Sequence, residues 1–504
     1  MSSKSGKQPQ PAQPAPSQSG EAVPHAMWER MTLAIAFLRK GMFAHLKRHG
    51  NSKCEPLTLA MLAILWSWGT TDQTVDARFQ VAASLVQSWC GSAFVFTTYK
   101  GFIGALATWN SELIRVVTIV LQQQLLTLNC WERSRGRSGR PLFAIDGTKV
   151  GVPWTASTDR HLGQQTLCKR KKKQIQKKRK AARAKSAKLK AVQERAAKQK
   201  SSKQKSANSQ AHQEVRPQLL LTLVWHMASG LPWSWKSGPV SANERDQARA
   251  LIASFPLLSI LVCDAGFTGY EFWKEIMDAG HDFVIRVGSN VRLLKNLGWK
   301  VKVKGNLAYL WPDKKQKSGA APLVVRLVTF QTAKTTIWLA TSILDVKVLG
   351  DEELAEIYKQ RWGIEGWFRS LKQTFGRRTL RSRDARHAEC ELDWSIVGLA
   401  LIQQQGVRAL EADGQSPDRL SEAEAIRAVR STILYADFGL AQLPTLVHRL
   451  QGAVLDTYTR TKPKQGHHIH RKKAFELPGQ PEIIEATAEQ IAKARQIQAA
   501  KGAA

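Results

Sequence analysis

Two short apolar runs, each closing on an aspartate followed by small residues, constrain this chain more than any other feature. PLFAIDGTKVGVP carries Asp146 at the end of one run, and LSILVCDAGF carries Asp264 at the end of the other. The first reads as a buried strand ending in an acidic turn, and the second as another apolar strand. An apolar strand that delivers a carboxylate at its C-terminal end is how an α/β sheet presents a polar group at its rim. Taken singly, either step is also ordinary turn chemistry.

The surrounding texture fits such a sheet. Residues 1–24 are rich in Pro, Gln and Ser and read as a disordered arm. Residues 25–132 carry helical patterns and are expected to form a DNA-binding domain. Thr97 and Thr98 can start a recognition-type helix there, although a plain helical bundle fits equally well. From residue 138 strand-like runs alternate with helices (QLLLTLVWHMA, LPWSWKSG, HDFVIRV). Alternating runs then fill Gly298 to Leu344, and a long helix starts near Asp351. We read residues 138–400 as an α/β catalytic core, a mixed sheet flanked by helices. It carries a basic insertion at 165–213 and a β-rich insertion at 289–344. Residues 401–455 read as C-terminal helices suited to dimerisation, and 456–504 as a basic tail. Asn243 to Asp246 look like a charged helix start with no catalytic role.

Charge narrows the partner. Against 40 Asp and Glu the chain has 75 Lys and Arg, a formal charge of +35. An excess of this size normally has a polyanion to offset it. About half lies in Lys169 to Lys205, where 18 Lys and Arg face one acid, Glu194. With almost no apolar anchors, that segment is expected to order only on a phosphate backbone. His467, His468 and His470, set among cations, read as a basic DNA contact rather than a metal site. The arginines of GRRTLRSRDAR are expected to touch DNA backbone. The longest apolar run, Leu57 to Trp68, is too short to cross a bilayer about 30 Å thick. Six scattered cysteines without C-x-x-C spacing fit a reducing compartment, so the cytoplasm is the expected location.

The helix after Asp351 is the most specific element. Tyr358, Arg361, Glu365 and Lys372 are offset by 0, 3, 7 and 14 residues. At about 100° per residue they fall within one narrow stripe. Such a row is either a solvated, salt-bridged face or one that looks at something polar and enclosed. The neighbouring Trp362, Trp367 and Phe368 favour the second. Asp146, Asp264 and Glu365 together are three hard oxygen donors from three segments. Such a set suits two Mg²⁺ or Mn²⁺ ions, which serve in-line phosphoryl displacement. Arg361 and Lys372 would grip the flanking phosphates, with Tyr358 donating a hydrogen bond to one.

These residues resemble the DDE transposases of bacterial insertion sequences, in the group with a Y-x2-R-x3-E-x6-K signature. Tyr358, Arg361, Glu365 and Lys372 meet every position of that signature, while IDGT and DAGF resemble its two aspartate blocks. The similarity covers about residues 138–400. It implies a ribonuclease-H-like core with a β insertion and metal-dependent, cut-and-paste transposition through a DNA hairpin. Two transposon ends, recognised by their terminal inverted repeats, would be bridged by a homodimer and joined to target DNA. Trp338 in TIWLATS resembles the family's stacking tryptophan, which receives a flipped base; it reads equally well as a core residue of an apolar strand. The Lys169–Lys205 run departs from the family pattern and puts the first hairpin of the core in question. Two rivals are a related nuclease without strand transfer and a non-enzymatic nucleic-acid-binding protein.

Overall fold

The computed structural model of the chain describes residues 38–46, 55–70, 72–90, 96–133, 138–163, 216–301, 303, 305–332, 335–434, 445–456 and 479–502. The arm 1–24, the Lys169–Lys205 run and the three histidines at 467–470 lie outside these residues.

The N-terminal part is helical: α1 (Pro56–Trp68), α2 (Val75–Cys90), α3 (Tyr99–Leu126) and the short α4 (Asn129–Arg133). Proline at the first position of α1 is preorganised for a helix start. From Thr58 to Trp68 every residue of α1 is buried, as an all-round apolar helix requires. Thr98 caps α3, its hydroxyl accepting from the Gly101 N–H at 3.2 Å. The sequence reads as two helical patterns here, yet α3 runs unbroken for 28 residues. Its composition and length would suit a membrane span. Instead Phe102, Ile103, Leu106, Leu113 and Val117 form a stripe buried in the same core as α1.

The sheet follows: β1 (Leu142–Gly151), α5 (Ala156–Leu162), β2 (Gln218–His226), β3 (Leu231–Pro239), α6 (Glu244–Arg249), β4 (Ile260–Cys263), α7 (Tyr270–Asp278) and β5 (Asp282–Val287). These five strands lie in the order β3-β2-β1-β4-β5. β1, β2 and β3 are antiparallel neighbours, whereas β1, β4 and β5 run parallel. This is a ribonuclease-H-like mixed sheet. The first hairpin is intact, with β1 and β2 paired from Phe143↔His226 to Gly151↔Gln218. In sequence the basic run falls between β1 and β2.

Four further strands extend the β5 edge: β6 (Arg292–Lys295), β7 (Leu307–Leu310), then, after α8 (Asp313–Lys317), β8 (Leu323–Gln331) and β9 (Thr336–Thr341). The chain continues through α9 (Asp351–Gln360), α10 (Gly363–Arg369), α11 (Ala385–Ala412), α12 (Glu422–Leu434) and α13 (Leu446–Gln451). Residues read from sequence as basic tail fold back instead. β10 (Glu482–Glu485) pairs in parallel with β6, and α14 (Ala488–Gly502) follows. Ile484 and Ala494 pack there with Leu294, Leu297, Tyr309 and Trp311.

Alternation along the strands fills a core on each face. Ala144, Val262, Val284 and Leu339 face the N-terminal helices and α9–α11. Ile145, Cys263, Ile285 and Ala340 face the other way, toward α6 and α7. α11 is the central strut, buried at most positions from Ala385 to Leu410.

Candidate active site

Register fixes the two aspartates. Ile145 pairs with Cys263 at the last step of the parallel β1–β4 ladder, so Asp146 and Asp264 are the next residues on adjacent strands. By parity with Ala144 and Val262 both lie on the face covered by α9–α11. The expected acidic turn at Asp146 is absent, because β1 continues to Gly151 along its antiparallel partner β2. Asp264 does leave its strand and caps a 3₁₀ turn, its Oδ1 accepting from the Gly266 N–H at 2.8 Å. Asp146 Oδ1 accepts from the Gly147 N–H, also at 2.8 Å.

The signature helix is not one continuous α-helix. α9 ends at Gln360, α10 starts at Gly363, and Ser370–Thr374 form a π turn. Gly363 is required by close approach, since a Cβ there would stand 2.3 Å from the Trp225 ring on β2. This contact seats α10 against the sheet.

The stripe then divides. Tyr358 and Arg361 are 2% and 4% exposed, so this end of the row is core after all. Arg361 Nη1 reaches Asp146 Oδ2 at 3.5 Å, its guanidinium lies over the Tyr358 ring, and its Nε is buried with no hydrogen-bond partner among the described residues. Lys372, on the π turn, donates to Thr148 Oγ1 on β1. Glu365 is exposed, as is Trp362, an aromatic read from sequence as enclosing the row. Charge coupling still links Glu365 to Arg361. Among the described residues no three acidic, histidine or cysteine side chains converge around one ion site. The structure thus joins Asp146, Asp264, Tyr358, Arg361 and Lys372 and leaves Glu365 at the rim.

Trp338 is placed elsewhere. It alternates onto the opposite sheet face, packs partly against that core, and buries an Nε1 without a partner among the described residues.

Electrostatics mark the aspartate pair. Burial pushes the Asp146 carboxyl up to about 7; Arg361 opposes this, while Asp264 and Glu244 add to it. Burial pushes the Tyr358 hydroxyl up and pulls the Lys372 ammonium down, with Arg378 adding to the latter. Arg361 keeps its charge despite burial, because Tyr358, Asp146, Asp264 and Glu365 together hold it above its ordinary value.

Two residues here were missed in the sequence. Arg286 follows Ile285, the β5 partner of Cys263, and so lies beside Asp264. Its Nε and Nη2 are buried without partners among the described residues. A charge alternating into the apolar DFVIRV is the signal that would have found it. Glu244, dismissed as a helix start, stands over Gly147, where a Cβ would fall 1.7 Å from its Oε1. Burial pushes its carboxyl up, as does the charge of Asp264. No local pattern announces it.

Two carboxylates thus meet at the rim of a ribonuclease-H-like sheet, faced by buried guanidinium groups. The chain belongs to the transposase DDE domain family, whose match runs over residues 137–399, just over half its length. It is 24% identical over 230 residues to the transposase InsG for insertion sequence element IS4 of Escherichia coli (strain K12). That alignment takes in 43% of this chain and 51% of the relative, so the chain spans about half the length of that curated relative. Among solved structures it is similar to a piggyBac transposase in a cryo-EM synaptic complex with hairpin DNA. The overlap covers 92% of this chain and 91% of the other, at 11% identity and a TM-score of 0.36.

Proposed function

We propose that the chain is a DNA transposase that cuts and joins phosphodiester bonds at the terminal inverted repeats of an insertion sequence. The observation that carries this reading is the pairing of Asp146 on β1 with Asp264 just past the end of the parallel strand β4, with Arg361 against Asp146. The donor chemistry fits a divalent cation. Two hard carboxylates side by side, one already driven toward protonation by burial and by the other's charge, are relieved by a bound positive ion. Asp146 and Asp264 would hold it, and Glu365, exposed at the rim, would have to turn inward to complete the set. Two Mg²⁺ or Mn²⁺ ions, when bound, would supply an activated oxygen nucleophile and stabilise the leaving oxygen.

The protein's own groups do the positioning. Arg361, with one buried nitrogen unpartnered among the described residues, and Arg286, with two, offer donors to phosphate oxygens without further desolvation. Lys372, tethered to Thr148, adds a point charge. We assign Trp338 to stacking a flipped base at the hairpin step. Trp338→Ala is then expected to impair hairpin formation more than first-strand nicking; equal loss of both would mark it as a packing residue only. The basic β1–β2 connection is assigned to holding DNA. Deleting Lys169–Lys205 should weaken binding and flatten its salt dependence, the log–log slope falling by about 0.9 for each phosphate the protein no longer neutralises.

The deciding experiment incubates the full chain with Mg²⁺ and DNA bearing the inverted repeats that flank its gene, then resolves nicked, hairpin, cut and joined products. All four are expected, with two ends bridged by a dimer acting in the cytoplasm. Cleavage without joining would make the chain a nuclease, and binding without cleavage a DNA-binding protein.

A further inference from the structure

The helix that carries Glu365 is held by one directional contact. α10 has seven residues, bounded by the break at Arg361–Trp362 and the π turn at Ser370–Thr374. A helix this short is not stable by itself, so its place is set by what packs on it. Ile364, Trp367 and Phe368 are buried, and Gly363 lies against the Trp225 ring. Apolar burial is non-directional, whereas a hydrogen bond sets an orientation. Among the described residues one side-chain hydrogen bond joins α10 to another element: Trp367 Nε1 donates to Gln403 Oε1 on α11 at 2.8 Å.

That bond opens a relay of fixed polarity. An indole can only donate, so Gln403 turns its oxygen to Trp367 and its amide hydrogens onward. They meet Glu422 Oε1 in the first turn of α12. Trp367 and Gln403 are buried. Glu422 is half-buried, and Gln403 is the one hydrogen-bond partner of its side chain among the described residues. Burial pushes the Glu422 carboxyl up to about 7, with Gln403 opposing the rise. A carboxylate so placed costs stability, and apolar groups of the same shape would join the three helices as well or better. Packing therefore does not account for the relay, whereas a fixed orientation of α10 does.

We propose that Gln403 and Glu422 are positioning residues for Glu365, acting through the Trp367 indole. This rests on the phosphodiester chemistry proposed above. Glu365 and Trp367 are two residues apart, about 200° around the helix, so any rotation of α10 moves both. With the indole fixed on α11, Glu365 has only its own side-chain torsions to turn toward the aspartates. With the indole released, the whole helix can turn and carry Glu365 away, and small misplacements of a reacting group cost rate steeply.

Two readouts on the full chain test this. Without metal or DNA, hydrogen exchange of the amides at 363–369 reports on α10 directly. With Mg²⁺ and DNA bearing the inverted repeats, cleavage rate and DNA affinity are measured separately. Trp367→Phe/Gln403→Leu/Glu422→Leu replaces the relay by apolar groups and is expected to melt no lower than wild type and to bind DNA equally well. Its α10 amides should exchange about tenfold faster and its cleavage run about tenfold slower, the equivalent of one hydrogen bond. Glu422→Gln keeps an acceptor for Gln403 and should match wild type in every measurement. Exchange and cleavage at wild-type rates in the triple variant would reduce the relay to packing and overturn the proposal. Parallel loss of stability, DNA binding and cleavage would overturn it too, as a fold defect. Trp367→Phe alone keeps the ring and should show the same slower cleavage; a wild-type rate there overturns the proposal even if the triple variant does not fold. If wild type itself does not cut, the phosphodiester reading fails and takes this one with it.

Discussion

Asp146→Asn will abolish cleavage of transposon ends and, in metal-free buffer at pH 8, yield a more stable protein. Loss of a group that supplies several kcal/mol of charge stabilisation at the reacting phosphate corresponds to about 10³-fold or more in rate. Asparagine keeps the shape and the acceptor for the Gly147 N–H. The stability gain follows from linkage. With a folded value of about 7 against an ordinary 3.8, the folded protein keeps a proton that the unfolded chain has released. Stability contributed by Asp146 is therefore lost as pH rises from about 4 to 7 and stays lost above. Full release of that shift would be at most about 4 kcal/mol. Arg361 loses its nearest anion in the variant, so we expect a net gain of about 1–3 kcal/mol. Thermal melts in EDTA at pH 4 and pH 8 check this. The variant should gain on wild type only at the higher pH. A variant less stable at both would show that Arg361 holds Asp146 ionised.

The aspartates were legible because each depends on local order: a run of apolar residues, then a carboxylate. The structure places Asp264 where that pattern predicts, just past the end of β4, and Asp146 level with it but within β1, one step past the shared β1–β4 register. The α/β class was legible for the same reason. What the pattern missed depends on chain far away. Asp146 lies within a strand because β2, some seventy residues on, carries the ladder past it. The tail became strand and helix because β6 and the residues around Leu297 and Trp311 leave an edge and an apolar patch for it.

The signature stripe shows the limit of ideal geometry. A uniform turn of about 100° places Tyr358, Arg361, Glu365 and Lys372 in one row. A break at Arg361–Trp362 and a π turn at Ser370–Thr374 split that row between core and surface. π turns inside helices occur often at functional sites. Here the turn brings Lys372 to Thr148, two residues from Asp146. Glu244 and Arg286 escaped notice because their significance comes from what packs beside them: Gly147 in one case, Asp264 in the other.

The largest loss of stability is expected from Arg377→Ala, five residues beyond Lys372. Arg377 is 1% exposed and ties together three segments. Its Nη2 donates to the Ser67 carbonyl at 2.5 Å and the Gly69 carbonyl at 3.3 Å, its Nη1 to the Phe375 carbonyl, and its Nε to Ser395 Oγ at 2.9 Å. Ser67 and Gly69 belong to the C-terminal end of α1, where helix carbonyls have no partner of their own. Arg430 donates to Trp68 and Gly69 from the other side, and both guanidiniums lie over the Phe375 ring. Close by, Glu391 is the counter-charge, shared with the buried Arg78 at 3.2 Å and also accepting from the N–H groups of Arg381 and Ser382. Alanine would leave several buried acceptors unmet and open a cavity, a loss of about 3–5 kcal/mol. Lysine, a point charge without the guanidinium fork, should recover only part of it. Urea unfolding read by tryptophan fluorescence checks both variants. Because Arg377 anchors the end of the π turn to the N-terminal helices, Arg377→Ala should also lower cleavage more than DNA binding, as Lys372 loses its fixed place against Thr148. A variant that melts as wild type would mean that Arg78 and Arg430 alone satisfy those carbonyls.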